Sequence, residues 1–190
     1  MYRNILLSSI FVIALITAAK AQNPSITAQA QRVSGDRFTV STTTPQGANI
    51  YAVRTPSPSM LNAIDKGLTE LFAVARRNGY RNRLNYSDYN IYIANADRTK
   101  NGGTYSPDIA VGAAQYAGTE YDNGGYIFAA GMVIARNPMA FLIADHTANF
   151  DRVSNVVRFE GEHLVLYHND RRRYNATADH SKGGGHPILQ

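Results

Sequence analysis

The stretch from Ser57 to Gly79 constrains the fold of this chain most, because it can bury its apolar side chains together only as an amphipathic helix. Those side chains recur mostly at steps of three or four residues, which places them on one helix face. Ser57 followed by Pro58 is typical of a helix N-terminus, and Gly79 is typical of a helix stop. A helix with one apolar face needs a partner surface, so we expect it to cover a sheet. The apolar positions are Leu61, Ile64, Leu68, Leu71, Phe72 and Ala75.

The segments around this helix predict the strands of that sheet. Residues 88–94 alternate tyrosine and isoleucine with polar side chains, which indicates a strand with one buried face. Residues 99–107 are rich in glycine, asparagine and proline, so they predict a loop. The continuous apolar run at 139–144 is typical of an interior strand or a short helix. The other predicted strands cover residues 26–33, 37–43, 50–53, 109–116 and 126–135.

The N-terminus has the composition of a secretory signal peptide. Arg3 supplies a positive charge, residues 5–16 are largely apolar, and Ala19-Lys20-Ala21 is a small-x-small cleavage site. An uncleaved N-terminal anchor is the alternative interpretation. After cleavage of residues 1–21, residues 22–190 are predicted to form a single α+β domain with a mainly antiparallel sheet. The predicted parts of this domain are an N-terminal β-unit (22–58), a helix and sheet (59–150), and a site helix with a C-terminal tail (151–190).

Composition excludes several classes of function. The chain has no cysteine, so it can have neither a disulfide framework nor a thiol nucleophile. The best basic run, Arg171-Arg172-Arg173, lacks interleaved aromatic residues, so it fits solvated charge at a helix C-terminus better than a nucleic-acid track. No stretch after the signal peptide is long and apolar enough to cross a bilayer, so no membrane contact is expected once the signal is removed.

The histidines point to the C-terminal part of the chain as the candidate site. All five lie between residues 146 and 186. Residues 151–167 carry an apolar stripe at helical spacing, and Asn149 or Asp151 can cap the start of that helix. Glu160 and His163 stand three residues apart, so they share one helix face. A carboxylate and an imidazole on one face are a suitable pair for acid–base or metal chemistry.

The glycine-rich tail after this helix can bring further ligands back to it. Lys182-Gly183-Gly184-Gly185-His186 cannot form a regular helix or strand, and its glycines allow the backbone to fold closely. We expect His180 or His186 to reach His163 in this way. Asp170, two turns beyond His163 on the same helix face, is a further candidate ligand.

Residues 159–163, which read Phe-Glu-Gly-Glu-His, resemble the active helix of the zincin metallopeptidases, whose pattern is His-Glu-x-x-His. In that family the two histidines bind zinc from one helix face and the glutamate activates the metal-bound water. The resemblance implies that Glu160 is the general base and His163 a zinc ligand. Phe159 stands where the first histidine of the pattern would be, and phenylalanine cannot coordinate a metal.

Three interpretations of this segment stay open from the residues alone. In the first, a metal ion is held by a changed ligand set around His163, drawn from Glu160, Asp170 and the tail histidines. In the second, a zincin-like scaffold has lost its metal and binds something else, which Phe159 favours. In the third, the carboxylates pair with nearby arginine and lysine residues, and the histidines only hold the tail against the helix.

These residues predict an exported zincin-like protein, either a divergent metal-dependent hydrolase or its inactive descendant. Zinc is the expected cofactor, a peptide or protein is the expected substrate, and the expected location is the periplasm or the medium. The alternative class is a non-enzymatic secreted protein of a cell surface or extracellular assembly. It is motivated by the tyrosine-bearing strands, which could pair edge to edge and allow self-association.

Overall fold

A computed structural model describes residues 23–97, 108–122, 124–146 and 149–189. The predicted signal peptide and the predicted loop at 99–107 lie outside these residues. The helices are α1 (Pro24–Ser34), α2 (Pro58–Arg77), α3 (Phe150–Asn169) and α4 (Arg171–Thr177), with 3-10 turns at Tyr86–Asp88, Ala114–Tyr116 and His180–Lys182. The strands are β1 (Val40–Thr43), β2 (Asn49–Ala52), β3 (Tyr89–Ala94), β4 (Ile109–Gly112), β5 (Tyr126–Ala129), β6 (Gly131–Arg136) and β7 (Met139–Ala144).

The described residues form an α+β fold around a mixed sheet. Five strands lie in the order β1-β2-β3-β7-β6, and β4 pairs with β5 in a separate two-stranded antiparallel sheet. The central pairs β2–β3 and β3–β7 are parallel, whereas the outer pairs β1–β2 and β6–β7 are antiparallel. The α+β class is therefore as predicted, but the large sheet is mixed rather than mainly antiparallel.

The prediction of a strand at residues 26–33 was wrong, because this segment is the helix α1. Asn23 caps the helix by accepting hydrogen bonds from two backbone N–H groups, and Pro24 occupies the first helical position. Ile26 and Ala30, four residues apart, share the buried face. Gly35 ends the helix with φ 75°.

The strand at residues 88–94 is present as β3, but both of its faces are buried. Parallel strands at the centre of a sheet are covered on both sides, so Tyr92 is as deeply buried as Ile91. The strand predicted at 109–116 ends at Gly112, and the one predicted at 126–135 divides near Ala130 into β5 and β6, which belong to different sheets. The strand predicted at 139–144 is β7, in the interior of the large sheet.

The predicted helix between Ser57 and Gly79 is confirmed as α2, and it positions α3. The Ser57 hydroxyl accepts a hydrogen bond from the Met60 N–H at the N-terminus of α2. A methyl group added at Gly67 of α2 would lie 2.6 Å from a backbone oxygen of α3, and one at Gly161 of α3 would lie 2.5 Å from Leu71 of α2. The two helices therefore pack closely because each presents a glycine to the other.

The large sheet has a hydrophobic core on each side. Helices α2 and α3 cover one face, and α1 with the small sheet covers the other. Strand β6 is at the edge of the sheet and contacts α3, so side chains of α3 can project past this edge. No helix among residues 23–97, 108–122, 124–146 and 149–189 is long and apolar enough to span a membrane.

Candidate metal centre

Helix α3 carries the two polar side chains singled out from the sequence. It begins at Phe150, where the Asn149 side chain accepts a hydrogen bond from the Arg152 N–H. Since Gly161 faces α2, the neighbouring residues Glu160 and His163 lie on another side of the helix. Glu160 passes over Gly131 of strand β6, where an added methyl group would lie 2.8 Å from the Glu160 Cγ.

The C-terminal tail folds back over α3 as a tight glycine-dependent loop. The Asp179 carboxylate accepts a hydrogen bond from the Ser181 N–H at the start of the last 3-10 turn. Gly183 has φ 77°, a left-handed conformation that glycine adopts without strain. The N–H of Gly184 donates to the Asp179 carbonyl, and a methyl group at Gly184 would lie only 2.3 Å from the Thr177 carbonyl oxygen. The glycines thus allow the chain to turn back and pass close to its own backbone.

This return brings three histidines together. His163 of α3 meets His180 and His186 of the tail, and one ring nitrogen from each lies within 4.8 Å of the others. The ring centroids are separated by 5.1 Å (His163–His180), 4.8 Å (His163–His186) and 4.9 Å (His180–His186). Three imidazoles at this spacing lie close enough to hold a metal ion.

Glu162 fixes the orientation of His186. Its side chain is fully buried, and its carboxylate accepts a hydrogen bond from His186 Nδ1 at 2.9 Å and another from the Ile188 N–H at 2.7 Å. The hydrogen bond at Nδ1 leaves Nε2 as the free ring nitrogen. A carboxylate that orients a ligating imidazole is a common second partner in metal sites.

Two of the three imidazoles, His163 and His180, are held in the neutral form that binds metals. Burial, together with the neighbouring rings of His186 and His180, lowers the pKa of His163 to about 3. Burial also lowers the pKa of His180, with a further contribution from His186. Among the described residues, His163 Nδ1 and His180 Nε2 are buried without a hydrogen-bond partner. Buried unpartnered nitrogen atoms are unusual in folded proteins, and a bound cation would satisfy both.

Glu160 lies beside the histidine cluster and is not a member of it. Burial raises the pKa of its carboxyl group to about 8, an effect that a hydrogen bond from the Val133 backbone partly opposes. A carboxyl group with a pKa near neutrality can exchange protons readily at physiological pH. Glu160 lies on α3 one turn before His163.

A cavity of about 680 Å³ opens next to these groups. Glu160, His163 and His180 form part of its wall. Consecutive residues 132–134 of β6 also line it, and successive strand residues point in opposite directions, so the cavity runs along this sheet edge. Tyr116 and Tyr121 of the loop after β4 form another part of the wall. The cavity is large enough for a small organic ligand or a short peptide.

The other residues considered from the sequence lie elsewhere. Asp170 caps α4 by accepting a hydrogen bond from the Arg173 N–H, and it also binds Tyr80, so it lies outside the cluster. His168 contacts the Arg136 carbonyl oxygen through Nε2. One interpretation of the sequence paired Glu160 and Glu162 with basic side chains. Among the described residues, neither glutamate forms a salt bridge with arginine or lysine.

Two members of the site were missed in the sequence. Glu162 was not predicted as a site residue, whereas it binds the tail through His186 and Ile188. Phe159 stacks on the His186 ring, with centroids 4.6 Å apart and planes 22° apart. Phe159, which stands at the position of the first histidine in the predicted zincin resemblance, therefore packs against a histidine from the tail. Neither contact could be read from local spacing, because both join positions more than twenty residues apart.

Comparison of the chain with family models, with curated proteins and with solved structures found no match.

Proposed function

We propose that His163, His180 and His186 bind one zinc ion, and that the protein is an exported metal-dependent hydrolase acting on peptide-like amides. The observation that carries the proposal is the convergence of three imidazoles beside a cavity that also contains Glu160. The N-terminal signal sequence supports a periplasmic or extracellular location for this activity.

The ligand set supports zinc in particular. Three neutral imidazoles are a ligand set found in catalytic zinc sites, where the fourth position stays open to water or substrate. The orienting carboxylate of Glu162 supports this assignment, because it leaves Nε2 of His186 available. When bound, the metal would polarise a substrate carbonyl and lower the pKa of a bound water.

Glu160 supplies the proton transfer in this proposal. A glutamate that ligates the metal is a poor base, but Glu160 stays outside the ligand cluster, so the two roles do not compete. The ionised form of Glu160 accepts a proton from the attacking water, whose oxygen bonds to the amide carbonyl carbon; because burial raises the pKa of Glu160 to about 8, this form becomes the major one only above that pH. The carbon–nitrogen bond then breaks, and Glu160 returns the proton to the leaving amine. The products are a carboxylic acid and an amine, which exchange a proton to give a carboxylate and an ammonium group.

The zincin resemblance is altered in one respect under this proposal. The first histidine of the zincin helix is replaced by Phe159, and His186 of the tail lies directly on that ring. The tail would thus supply the ligand that the helix has lost. Only one ligand, His163, would then come from the helix itself.

Metal stoichiometry tests the binding site. The mature protein, purified without a polyhistidine tag, is loaded with zinc, desalted and assayed by elemental mass spectrometry. We expect one zinc per chain in the wild type and in the His168→Ala control, whose histidine lies outside the cluster. We expect loss of zinc in His163→Ala, His180→Ala and His186→Ala. A wild-type protein that retains no zinc contradicts the proposal.

Cleavage of a peptide library, followed by mass spectrometry, tests the hydrolase activity. Zinc-loaded wild type should produce new peptide termini, and chelator treatment or Glu160→Gln should abolish them. A protein that binds zinc and cleaves nothing would favour the inactive, binding form of the scaffold. A metal-free protein that sediments as large species would favour the extracellular assembly alternative.

A further inference from the structure

We propose that Arg136 is the anchor for a carboxylate group of the substrate, so that the cavity takes peptides with a free carboxylate near the reacting bond. This inference rests on the proposed function, because it assigns the substrate class of the same site. Arg136 is the last residue of β6, and among the described residues it is the only arginine or lysine in the wall of the cavity.

The guanidinium of Arg136 is held in place by two tyrosines. Its Nε donates a hydrogen bond to the Tyr174 hydroxyl, and its Cζ lies 5.5 Å from the centroid of the Tyr174 ring and 5.7 Å from that of Tyr167. These contacts orient the planar group, and its two terminal nitrogens form no hydrogen bond with the described residues. Two parallel N–H groups of an arginine match the two oxygens of a carboxylate.

No carboxylate among the described residues pairs with this guanidinium. In the part of the chain that the structure describes, Arg136 forms no salt bridge, whereas Arg152 and Arg158 each pair with an acidic side chain. The acidic residues of the cavity wall are Glu120 and Glu160. Glu120 forms a hydrogen bond with Tyr121, and Glu160 accepts one from the Val133 backbone. A second guanidinium, that of Arg171, lies on the Tyr167 ring at 3.3 Å and adds positive charge nearby.

The spacing between Arg136 and the proposed base fits a short extended peptide. Glu160 of α3 accepts a hydrogen bond from the Val133 backbone of β6, and the Arg136 guanidinium of β6 lies over the Tyr167 ring of α3. The distance between Glu160 and Arg136 can therefore be counted along β6 or along α3. The seven residues along α3 span about 10 Å, and β6, which carries a bulge between Val133 and Ala135, crosses the same gap in three residues. His163 lies between the two ends of this gap. An extended chain advances about 3.5 Å per residue, so about three substrate residues fit between the reacting amide and the anchored carboxylate.

Peptide binding to the chelator-treated protein tests this proposal without requiring metal or turnover. Three probes are titrated by NMR: acetyl-trialanine with a free carboxylate, its C-terminal amide, and acetyl-Ala-Ala-Glu amide. We expect the amide of trialanine to bind at least about tenfold more weakly than the free acid, or the glutamate peptide to exceed that amide by the same factor. The first result identifies a chain terminus as the source of the carboxylate, and the second identifies an acidic side chain.

Substitutions test whether Arg136 is the group that binds the carboxylate of the probe. Arg136→Gln should weaken binding of the preferred probe by about tenfold or more, and Arg136→Lys should restore it only in part because lysine lacks the paired N–H groups. Arg172→Gln removes the same charge from an exposed position on α4 and should bind as the wild type does. Equal binding of all three probes, or an equal loss in Arg172→Gln, overturns the proposal. Because zinc stoichiometry is measured separately, failure of the carboxylate anchor is distinguishable from failure of the metal site.

Discussion

Replacement of Glu162 by glutamine tests whether the site depends on a buried carboxylate. The substitution keeps the shape of the side chain and removes its charge. Glutamine has one acceptor oxygen and one NH₂ group, so it cannot accept from both His186 Nδ1 and the Ile188 N–H. Either one buried donor is left without a partner, or the NH₂ group donates to His186 Nδ1 and the ring proton moves to Nε2, the nitrogen that would ligate the metal. Loss of the hydrogen bonds to a buried carboxylate costs about 1–3 kcal/mol.

Two measurable losses follow from that change. The free energy of unfolding in urea, with chelator present, should fall by about 1–3 kcal/mol. Zinc affinity, measured by competition with a chromogenic chelator, should fall about 10- to 100-fold, because the carboxylate no longer holds the His186 ring in its ligating orientation. The second loss is specific to the metal site, whereas the first reports on tail docking.

Glu70→Gln is the matched control for this experiment. Glu70 pairs with Arg158 between α2 and α3, but its side chain is 39% exposed, so the same chemical change should alter stability by less than about 1 kcal/mol. It should leave zinc affinity unchanged. Zinc affinity within twofold of the wild type in Glu162→Gln would refute the orienting role of this carboxylate.

Three further predictions concern protonation, the tail and metal removal. Burial, with the charge of Arg152 beside it, lowers the pKa of His146 to about 4, and Asp108 partly opposes this. A histidine with a lowered pKa contributes stability above its ordinary pKa and loses it as the pH falls toward 4, so His146 should account for about 3 kcal/mol of the stability that the chelated protein loses over this range. Urea unfolding of His146→Leu should show a shallower pH dependence, and an identical slope would contradict the argument. Gly184→Ala should displace the tail and lower zinc affinity at least about tenfold, because its methyl group would lie 2.3 Å from a carbonyl oxygen. Gly112→Ala is the control, because its methyl group would make only an ordinary contact at 3.8 Å, and this variant should bind zinc as the wild type does. Zinc at a concentration of about 100 times its Kd should raise the free energy of unfolding by about 2.7 kcal/mol, seen as a higher Tm that chelator reverses, and an unchanged Tm would count against a folded-state site.

Local sequence signals were sufficient for part of the fold. Ser57, Pro58 and the apolar stripe that follows them predicted α2, because capping and helical periodicity act over a few residues. The same signals are present at Asn23 and Pro24, but residues 26–33 were predicted as a strand that leads into a turn at Ser34-Gly35-Asp36. At α1 the helix cap was therefore the more informative signal.

Strand direction and sheet membership could not be read in this way. The alternation at residues 89–93 indicated one buried face, but the partners of β3 are β2 and β7, both parallel and both distant in sequence. Those pairings bury Tyr92 against Tyr51 on the second face. Pairing between distant segments decides burial here, and local periodicity carries no information about it.

The site, too, could be predicted only in part from local sequence. Glycines 183–185 predicted a close return of the tail, and His180 and His186 do meet His163. The predicted ligand Asp170 lies elsewhere, because the helix ends at Asn169 and Asp170 becomes the cap of α4. The orientation of His186 by Glu162 depends on a contact across twenty-four residues, which no local pattern specifies.

Two of the three converging imidazoles belong to a short chain segment that is attached to α3 by hydrogen bonds and packing, since the chain has no cysteine to tether it. Release of a cation from this site would not require the domain to unfold. Lifting of residues 180–188 alone would remove two ligands at once, and openings of this size are far more frequent than global unfolding. The tail would therefore retain the ion while it is docked on α3, and the rate at which the tail opens would set the residence time of the ion.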